Sequence, residues 1–199
     1  MASHGRKNAW PYGYCRRAHC CENPDMTTST LLRPAHTTDA AAIDSIYNDA
    51  LTGREATFET EPRRPSAFQA QIDSERYPLL VAELDGQLSG WAGLAPYSER
   101  AAYAGIAEFS IYVAQRAQGQ GVGTMLCQQL AEEAERSGLW KLIGKIFPEN
   151  LACVRMTEHC GFREVGLHRC HGRLDGRWRD VLLVERLLGE AHKAAATEA

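Results

Sequence analysis

Apolar residues recur along this chain at helical and at strand spacing. Val122, Leu126, Leu130 and Ala134 follow one another at four-residue steps, which predicts a helix with one buried face. Short aliphatic runs, such as residues 79–84, predict strands instead. From residue 31 onward the segments run β-α-α-β-β-β-α-β-α-β-β. Helices that alternate with strands on a mixed sheet give an α/β or α+β domain.

Cap and turn residues mark where these elements begin and end. Thr37, Thr38 and Asp39 are predicted to cap the first helix and to place an acid in its first turn. Asp85-Gly86 and Asp175-Gly176 each predict a hairpin turn. The predicted helices cover about 39–51, 65–76, 122–136 and 149–160, and the predicted strands cover about 31–34, 79–84, 87–95, 108–114, 141–147, 162–173 and 177–187.

Length and periodicity indicate one domain with an additional N-terminal tail. The tail, residues 1–28, shows no hydrophobic period and is expected to be disordered or not native to the domain. Residues 29–190 form the predicted domain, and residues 191–199 a flexible C-terminal end. We hypothesise that Met26, which is followed by TTSTLLRPA, is the physiological initiator.

Charge and cysteine content exclude several classes of protein. The chain carries 22 Lys and Arg against 25 Asp and Glu, a net charge of −3, which argues against a nucleic-acid partner or a basic membrane-surface protein. It shows no apolar run of membrane-spanning length and no apolar leader segment. The seven cysteines, an odd number, indicate reduced thiols in the cytoplasm. A metal site is conceivable at Cys15, His19, Cys20 and Cys21, but their spacing matches no zinc pattern, so no metal is predicted.

The segment Ile106–Thr124 carries the strongest functional signal. A β-rich run leads through Gln118-Gly119-Gln120-Gly121-Val122-Gly123 into the start of a helix. Glycines let the main chain approach a ligand closely, and a helix N-terminus adds partial positive charge, so the pattern predicts phosphate binding. The Lys-Ser pair of a nucleotide P-loop is missing, and the glycines do not fit the dinucleotide pattern G-x-G-x-x-G. An ordinary strand-to-helix loop is the alternative interpretation.

The spacing Gln118-x-x-Gly121-x-Gly123, between a strand and a long helix, resembles the coenzyme A pyrophosphate loop of the GCN5-related N-acetyltransferase (GNAT) superfamily. The resemblance extends over about 31–188. Within it, the segments Phe58–Pro62, Pro96–Val113 and Trp178–Asp180 are similar to those of phosphinothricin N-acetyltransferases. The runs KLIGKIFPEN and RCHGRLDGRWRDV resemble the arsinothricin N-acetyltransferase branch of that group.

This resemblance implies a GNAT fold, with a central mixed and mostly antiparallel sheet of about six to seven strands and about four flanking helices. It also implies an enzyme that uses acetyl-CoA to acetylate the α-amine of a small acidic amino acid, such as phosphinothricin or arsinothricin, and thereby gives resistance. Acetyl-CoA is then a cosubstrate, no metal takes part, and a homodimer is expected. Two alternatives stay open: the same fold acting on protein N-termini or lysines, and a non-catalytic acyl-CoA-binding module.

The resemblance assigns roles to individual residues as well. Amide formation needs a neutral amine, so a base must take a proton from the α-ammonium group, and Glu108 matches the glutamate that does this in the family. The tyrosine that many relatives use as the acid is missing from the helix after Asn150, where Cys153 is interpreted as a small buried residue. The expected coenzyme contacts are Ile111, Tyr112, Val113, Gln118, Gly119, Gln120, Gly121, Val122, Gly123, Thr124 and Asn150. The expected substrate contacts are Phe58, Thr60, Arg100 and Tyr103.

Overall fold

The computed structural model describes residues 17–18, 29–63 and 66–197, and these ranges contain eight strands and five α-helices. The strands are β1 (Arg17–Ala18), β2 (Thr30–Pro34), β3 (Leu79–Leu84), β4 (Gln87–Pro96), β5 (Ile106–Val113), β6 (Lys141–Ile146), β7 (Arg163–Leu174) and β8 (Arg177–Leu187). The helices are α1 (Ala40–Gly53), α2 (Ser66–Ile72), α3 (Val122–Arg136), α4 (Leu151–His159) and α5 (Gly189–Thr197). Short 3-10 turns at Thr37–Asp39, Ala101–Tyr103 and Gln115–Ala117 precede α1, β5 and α3.

The described strands join one sheet in the order β1-β2-β3-β4-β5-β6-β8-β7. Neighbouring strands in this order are antiparallel except β5 and β6, which are parallel. Because β1 has only two residues, the sheet consists of seven longer strands, and the predicted mixed, mostly antiparallel sheet is confirmed. Both predicted hairpin turns form, with φ angles between 49° and 77° at Asp85-Gly86 and Asp175-Gly176, as a type I′ turn requires.

Helices cover both faces of the sheet. On one face, the predicted stripe of α3 from Val122 to Ala134 is buried against the sheet together with residues of α4. On the other face, α1 and α2 pack around an aromatic cluster in which the rings of Tyr47, Phe68 and Trp91 have centroids 5.2 to 6.4 Å apart. This aromatic cluster borders the candidate site described below.

Asp39 has a role that the sequence analysis did not predict. Its carboxylate accepts hydrogen bonds from Arg33 Nη1 at 2.6 Å, from Arg33 Nη2 at 2.9 Å and from the main-chain N–H of His36 at 2.7 Å. Arg33 also donates to Glu83 on β3 at 2.6 Å. Asp39 therefore closes a 3-10 turn and connects to β2, and its side chain does not cap α1, which begins at Ala40.

The two ends of the chain lie partly beyond the described residues. Of the predicted tail 1–28, only Arg17–Ala18 is described, and it pairs with Thr30 and Leu31 of β2. The tail cysteines, His19 and Met26 lie outside the described residues. At the other end, α5 is an additional helix that the sequence analysis did not predict; it takes up 191–197 of the predicted flexible end, and 198–199 lie outside. Within the described ranges, no helix is long and apolar enough to cross a membrane.

Candidate active site

Strand β5 carries the candidate catalytic residue. Its side chains alternate between the two faces of the sheet, as in any strand. Ala107 and Phe109 are buried in the core beneath α3. Glu108 and Ser110 lie on the opposite face and line a cleft there together with Trp91. The predicted base therefore lies outside the core, where a ligand can reach it.

One edge of β5 is open beyond Glu108. Strand β4 pairs with β5 from Ala107 to Val113, whereas β6 pairs with it only over Ile106–Glu108. From residue 109 onward, the edge that faces β6 has no strand partner in the described part of the chain. An extended ligand can add along such an edge through main-chain hydrogen bonds. The predicted coenzyme contacts 111–113 lie on this open part, so the geometry fits the pantetheine arm of coenzyme A.

The predicted phosphate loop, residues 118–124, leads from β5 into the first turn of α3. Gly121 is the N-cap of α3 with φ of +80°, and a Cβ atom added to it would meet no atom within 4 Å. Gly119 has φ of +74° and is equally open. Gly123 is different, because an added Cβ would lie 3.1 Å from Met156 Sδ on α4. The loop thus leaves open space in front of a helix N-terminus, which suits a pyrophosphate.

The amide side chains of this loop bind the protein's own main chain. Gln120 Nε2 donates to the carbonyl of Arg116 at 2.8 Å, and Gln118 Nε2 donates to the carbonyl of Val113 at 3.4 Å. Val122 is buried in the core, and Thr124 is half-buried. Because the amide side chains are already bound to the protein, the groups that the loop presents to a ligand are mainly its main-chain N–H groups.

Asn150 connects α4 to the segment after α1. Its Oδ1 accepts the main-chain N–H of Cys153 at 3.1 Å and so caps α4, while its Nδ2 donates to the carbonyl of Glu55 at 3.2 Å. Asn150 is therefore the N-cap of α4. Its contact with coenzyme A stays a prediction.

A cleft of about 280 Å³ adjoins the Glu108 carboxylate. It is lined by Arg63, Gln71, Trp91, Gly93, Leu94, Ala95, Glu108 and Ser110. The strand register places Glu108 opposite Ala95 and Ser110 opposite Gly93, so β4 and β5 form its floor. A carboxylate in the lining of a cleft of this size is a candidate to accept a proton from a small amine.

The Glu108 carboxylate is held by a lysine from the neighbouring strand. Lys145 Nζ donates to Glu108 Oε2 at 2.7 Å, and the Glu108 side chain is 32% exposed. Glu108 is opposite Ile143 in the parallel β5–β6 register, which brings Lys145, two residues further along β6, to the same face. Among the described residues none donates a hydrogen bond to Glu108 Oε1, so this oxygen is available to a ligand.

The four predicted substrate contacts do not line this cleft. The Phe58 ring packs edge-on against Phe147, with centroids 4.8 Å apart, and Thr60 is exposed. Arg100 and Tyr103 are exposed at the 3-10 turn before β5, where the Tyr103 ring contacts Tyr97. Their role in substrate binding therefore stays a prediction.

Of the residues that line the cleft, the sequence analysis predicted only Glu108; among those it missed, Arg63 carries a charge and Trp91 an indole N–H. Arg63 directly follows the Phe58–Pro62 segment, which resembles the family. Its position next to that segment is a signal that could have identified it. Trp91 lies in the middle of an apolar strand, and nothing in the sequence distinguishes it from a core residue. Lys145 was missed for a similar reason, since its contact with Glu108 depends on the parallel register of β5 and β6.

Cys153 lies in the first turn of α4, the helix that contains no tyrosine. It packs against the core, and burial raises the pKa of its thiol to about 11, so it is protonated at neutral pH. Burial also raises the pKa of the neighbouring Tyr112 phenol well above its usual range. The interpretation of Cys153 as a small buried residue agrees with this environment.

A second cavity lies elsewhere and offers less chemistry. It measures about 410 Å³, and Glu135, Arg163, Glu185 and His192 line it, whereas no residue of β5 does. Glu185 is paired with Lys141 at 2.8 Å and with Arg163. Burial alone would raise the pKa of Glu185, but these cations hold it below the usual range. Because the charges of Glu185, Lys141 and Arg163 are paired with one another, the cleft beside Glu108 remains the candidate active site.

Comparison with known proteins establishes the family. The profile of the acetyltransferase (GNAT) family matches residues 42–162, which is more than half of the chain. The chain belongs to the GNAT family. It is therefore an N-acetyltransferase, an acyl-transferring enzyme, and the predicted family and fold are confirmed.

Similar GNAT proteins are named for free amino-acid analogues. Phosphinothricin N-acetyltransferase from Streptomyces viridochromogenes is 34% identical over 152 residues, which cover 75% of this chain and 83% of the relative. L-methionine sulfoximine/L-methionine sulfone acetyltransferase from Pseudomonas aeruginosa is 30% identical over 170 residues, which cover 83% of this chain and 99% of the relative.

Two solved GNAT structures are similar to this chain, and one of them contains acetyl-CoA. The phosphinothricin acetyltransferase from Sinorhizobium meliloti, in complex with acetyl-CoA, matches with a TM-score of 0.77 at 28% identity and covers 82% of this chain and 91% of that chain. Ribosomal-protein-alanine N-acetyltransferase from Brucella melitensis matches with a TM-score of 0.75 at 32% identity. The match covers 79% of this chain and 99% of that chain. The bound acetyl-CoA in the first structure supports acetyl-CoA as the cosubstrate of the family member described here.

Proposed function

We propose that this GNAT enzyme uses acetyl-CoA to acetylate the α-amine of a small acidic amino acid, such as phosphinothricin or arsinothricin, and so detoxifies it in the cytoplasm. The observation that carries this proposal is the cleft of about 280 Å³ that has the Glu108 carboxylate and the Arg63 guanidinium among its lining groups. A base and a cation in one small cleft suit a molecule that carries both an amine and an acid group.

Each group of the site has a defined task in this reaction. Glu108 Oε1 accepts a proton from the substrate ammonium, directly or through a water, and the amine nitrogen then forms a bond to the acetyl carbon. A main-chain N–H near Val113 donates to the acetyl oxygen as negative charge develops there. The bond from the acetyl carbon to sulfur breaks, and the nitrogen gives its second proton to the departing sulfur, so that the products are the amide and the free thiol; because the ordinary pKa of a thiol is about 8.5, this departure needs no dedicated acid.

A second function is favoured by one observation. The chain is also similar to a ribosomal-protein-alanine N-acetyltransferase, whose name indicates a protein N-terminus as the acetyl acceptor. Ser110 in the cleft is exposed, so the cleft opens to solvent and can receive the end of a chain. The positive guanidinium of Arg63 favours an acidic small molecule over an N-terminal alanine, which brings no side-chain charge.

We also propose a homodimer, on the basis of the exposed strand at the edge of the sheet. Strand β7 has a partner on only one side within the described sheet, and Val165, Leu167 and Trp178 on the β7–β8 hairpin are 43%, 44% and 57% exposed. A long edge strand with apolar side chains is stabilised when a second copy covers it. Sedimentation of wild type and of Leu167→Glu tests this: the wild type should sediment as a dimer and the variant as a monomer, and a monomeric wild type would contradict the proposal.

The substrate proposal is tested by measuring thiol release from acetyl-CoA over a panel of amines. The panel contains phosphinothricin, arsinothricin, glutamate, lysine, an arylamine and a peptide that begins with alanine. Glutamate-like phosphinates and arsinates should give the highest kcat/KM, and Glu108→Gln, which retains the shape of the side chain, should remove most of the rate. A peptide that outperforms every free acidic amino acid would overturn the proposal in favour of protein N-termini.

A further inference from the structure

We infer that Arg63 and the indole N–H of Trp91 form the subsite that binds the side-chain acid of the substrate, which makes Arg63 the residue that selects acidic over neutral amino acids. This inference rests on the proposed function and deepens it. It also differs from the expectation that Arg100 holds this acid, because Arg100 does not line the cleft.

Trp91 supplies an unused donor. The side chain is 2% exposed and lines the cleft, yet its Nε1 has no hydrogen-bond partner in the described part of the chain. Buried indole N–H groups normally find an acceptor, since leaving one unpaired is costly. An oxyanion in the cleft would be such an acceptor, and no acidic side chain near Trp91 takes that place in the described structure.

Arg63 is fixed where it can share the same anion. Its main-chain N–H donates to Asn48 Oδ1 at 3.0 Å, and its carbonyl accepts from Asn48 Nδ2 at 3.3 Å. Its guanidinium carbon lies 4.7 Å above the centre of the Tyr47 ring, and Tyr47 contacts Trp91. These contacts hold the guanidinium beside the aromatic cluster that contains the unused indole donor.

The acid that faces Arg63 within the protein is displaceable. Glu59 Oε1 lies 3.7 Å from Arg63 Nη2, with the side chains 53% and 43% exposed. An exposed pair at this distance contributes little free energy. A phosphinate or carboxylate that binds the planar guanidinium through two parallel hydrogen bonds makes a stronger contact.

The separation along the sheet fits a glutamate-like molecule. Glu108 is opposite Ala95 on β4. Ala95 lies four residues beyond Trp91, so the Cα atoms of these two residues are about 13 Å apart at about 3.3 Å per residue. Four bonds of about 1.5 Å separate the α-amine of such an amino acid from the centre of its side-chain acid. The two groups are therefore about 5 Å apart when the molecule is extended. One hydrogen bond of about 2.8 Å at each end brings the span to about 11 Å. With the amine at Glu108, the distal acid reaches further along the cleft toward Trp91 than the α-carboxylate does.

The experiment compares an acidic and a neutral amino acid of similar length in wild type and variants. The ratio of kcat/KM for phosphinothricin to kcat/KM for L-glutamine is measured by thiol release. This ratio cancels any loss of activity that affects both substrates equally. Arg63→Met keeps the side-chain stem and removes the charge, and Trp91→Phe keeps the ring and removes the N–H. Arg177→Met, an exposed arginine at the hairpin after Gly176, is the matched control for loss of one positive charge. Thermal unfolding and acetyl-CoA affinity by calorimetry verify that each variant is folded.

The ratio should fall by about 10- to 100-fold in Arg63→Met and by about 10-fold in Trp91→Phe, as expected for lost hydrogen bonds to a charged group, and should stay unchanged in Arg177→Met. The loss should come mainly from a higher KM for phosphinothricin, since the anion contact is present before and during the reaction. An unchanged ratio in folded Arg63→Met would overturn the inference, as would a collapse of the ratio in Arg100→Met alone. Those results leave the proposed function intact, whereas a wild type that acetylates no acidic amino acid refutes the proposed function and this inference together.

Discussion

The Lys145 ammonium lies 2.7 Å from Oε2 of Glu108, so the candidate base is held by a cation from the next strand. The contact exists because β5 and β6 run parallel and place both side chains on one face of the sheet. It occupies one carboxylate oxygen and fixes the direction of the other. The pair therefore separates two tasks that can be tested independently, proton acceptance by Glu108 and orientation by Lys145.

The first prediction concerns proton acceptance. Glu108→Gln should lower kcat by about 100-fold or more at neutral pH, with acetyl-CoA affinity and thermal stability nearly intact, because only the proton acceptor is lost. The loss should become smaller as the pH rises, since a growing fraction of the amine is then neutral without a base. The pH dependence of kcat in wild type and variant measures this. A loss that is constant up to about pH 10 would instead assign Glu108 an orienting role.

The second prediction concerns orientation. Lys145→Met should lower kcat by about 3- to 10-fold because the carboxylate is no longer held in one direction, and Lys145→Arg should restore part of the rate. Lys141→Met is a matched control, since Lys141 on the same strand donates to Glu185 at 2.8 Å outside the cleft. It should alter thermal stability and leave kcat unchanged. Equal kcat losses in Lys145→Met and Lys141→Met would show that Lys145 acts on stability only.

The third prediction concerns the phosphate loop. Gly121→Val should weaken acetyl-CoA binding by at least about 10-fold, because a branched side chain fills the open space in front of α3 and strains a residue with φ of +80°. Gly86→Val is the matched control: Gly86 has φ of +77° and equally open surroundings, but it lies in the β3–β4 turn. Both variants should lose similar thermal stability. Isothermal calorimetry should show weaker binding in Gly121→Val only, and unchanged affinity in that folded variant would refute the phosphate-loop assignment.

Local signals made much of this fold predictable from the sequence. The helical stripe of α3 and the two Asp-Gly hairpins each depend on residues close together in the chain, and all three formed as predicted. The glycine loop before α3 is local in the same sense. Such features need no knowledge of which strands become neighbours, which is why a pattern of spacings was sufficient.

Contacts between distant segments were not predictable in this way. Arg63, in the loop after α1, and Trp91, on β4, line one cleft although they are far apart in the sequence. Lys145 reaches Glu108 only through the parallel pairing of β5 with β6. Asp39 was expected to cap a helix, but Arg33 from β2 competes for its carboxylate. A sequence pattern identifies Glu108 as a candidate base, yet the side chains that surround it depend on the order of the strands.

The fourth prediction concerns the ion-pair cluster that joins β2 to the start of α1. Arg33 binds Asp39 through two hydrogen bonds, and the two side chains are 24% and 11% exposed. Hydrogen bonds between charged groups at a partly buried site contribute about 1.5 to 3 kcal/mol. Asp39→Asn should therefore lower Tm by about 3 to 10 °C at neutral pH. Asp49→Asn, at an exposed position on α1, is the control and should change Tm little.

The pH dependence of this effect distinguishes the ion pair from simple loss of shape. The hydrogen bonds from Arg33, with the bond from His36 N–H, hold the pKa of Asp39 below its ordinary value. The carboxylate thus adds stability that is fully present above the unfolded pKa of about 3.9 and is lost as the pH falls through the lowered folded value. Urea unfolding between pH 7 and pH 2 should show the difference between wild type and Asp39→Asn constant down to about pH 5 and shrinking below about pH 4. A difference that persists undiminished at the lowest pH would mean that packing of the side chain, and not its charge, stabilises this turn.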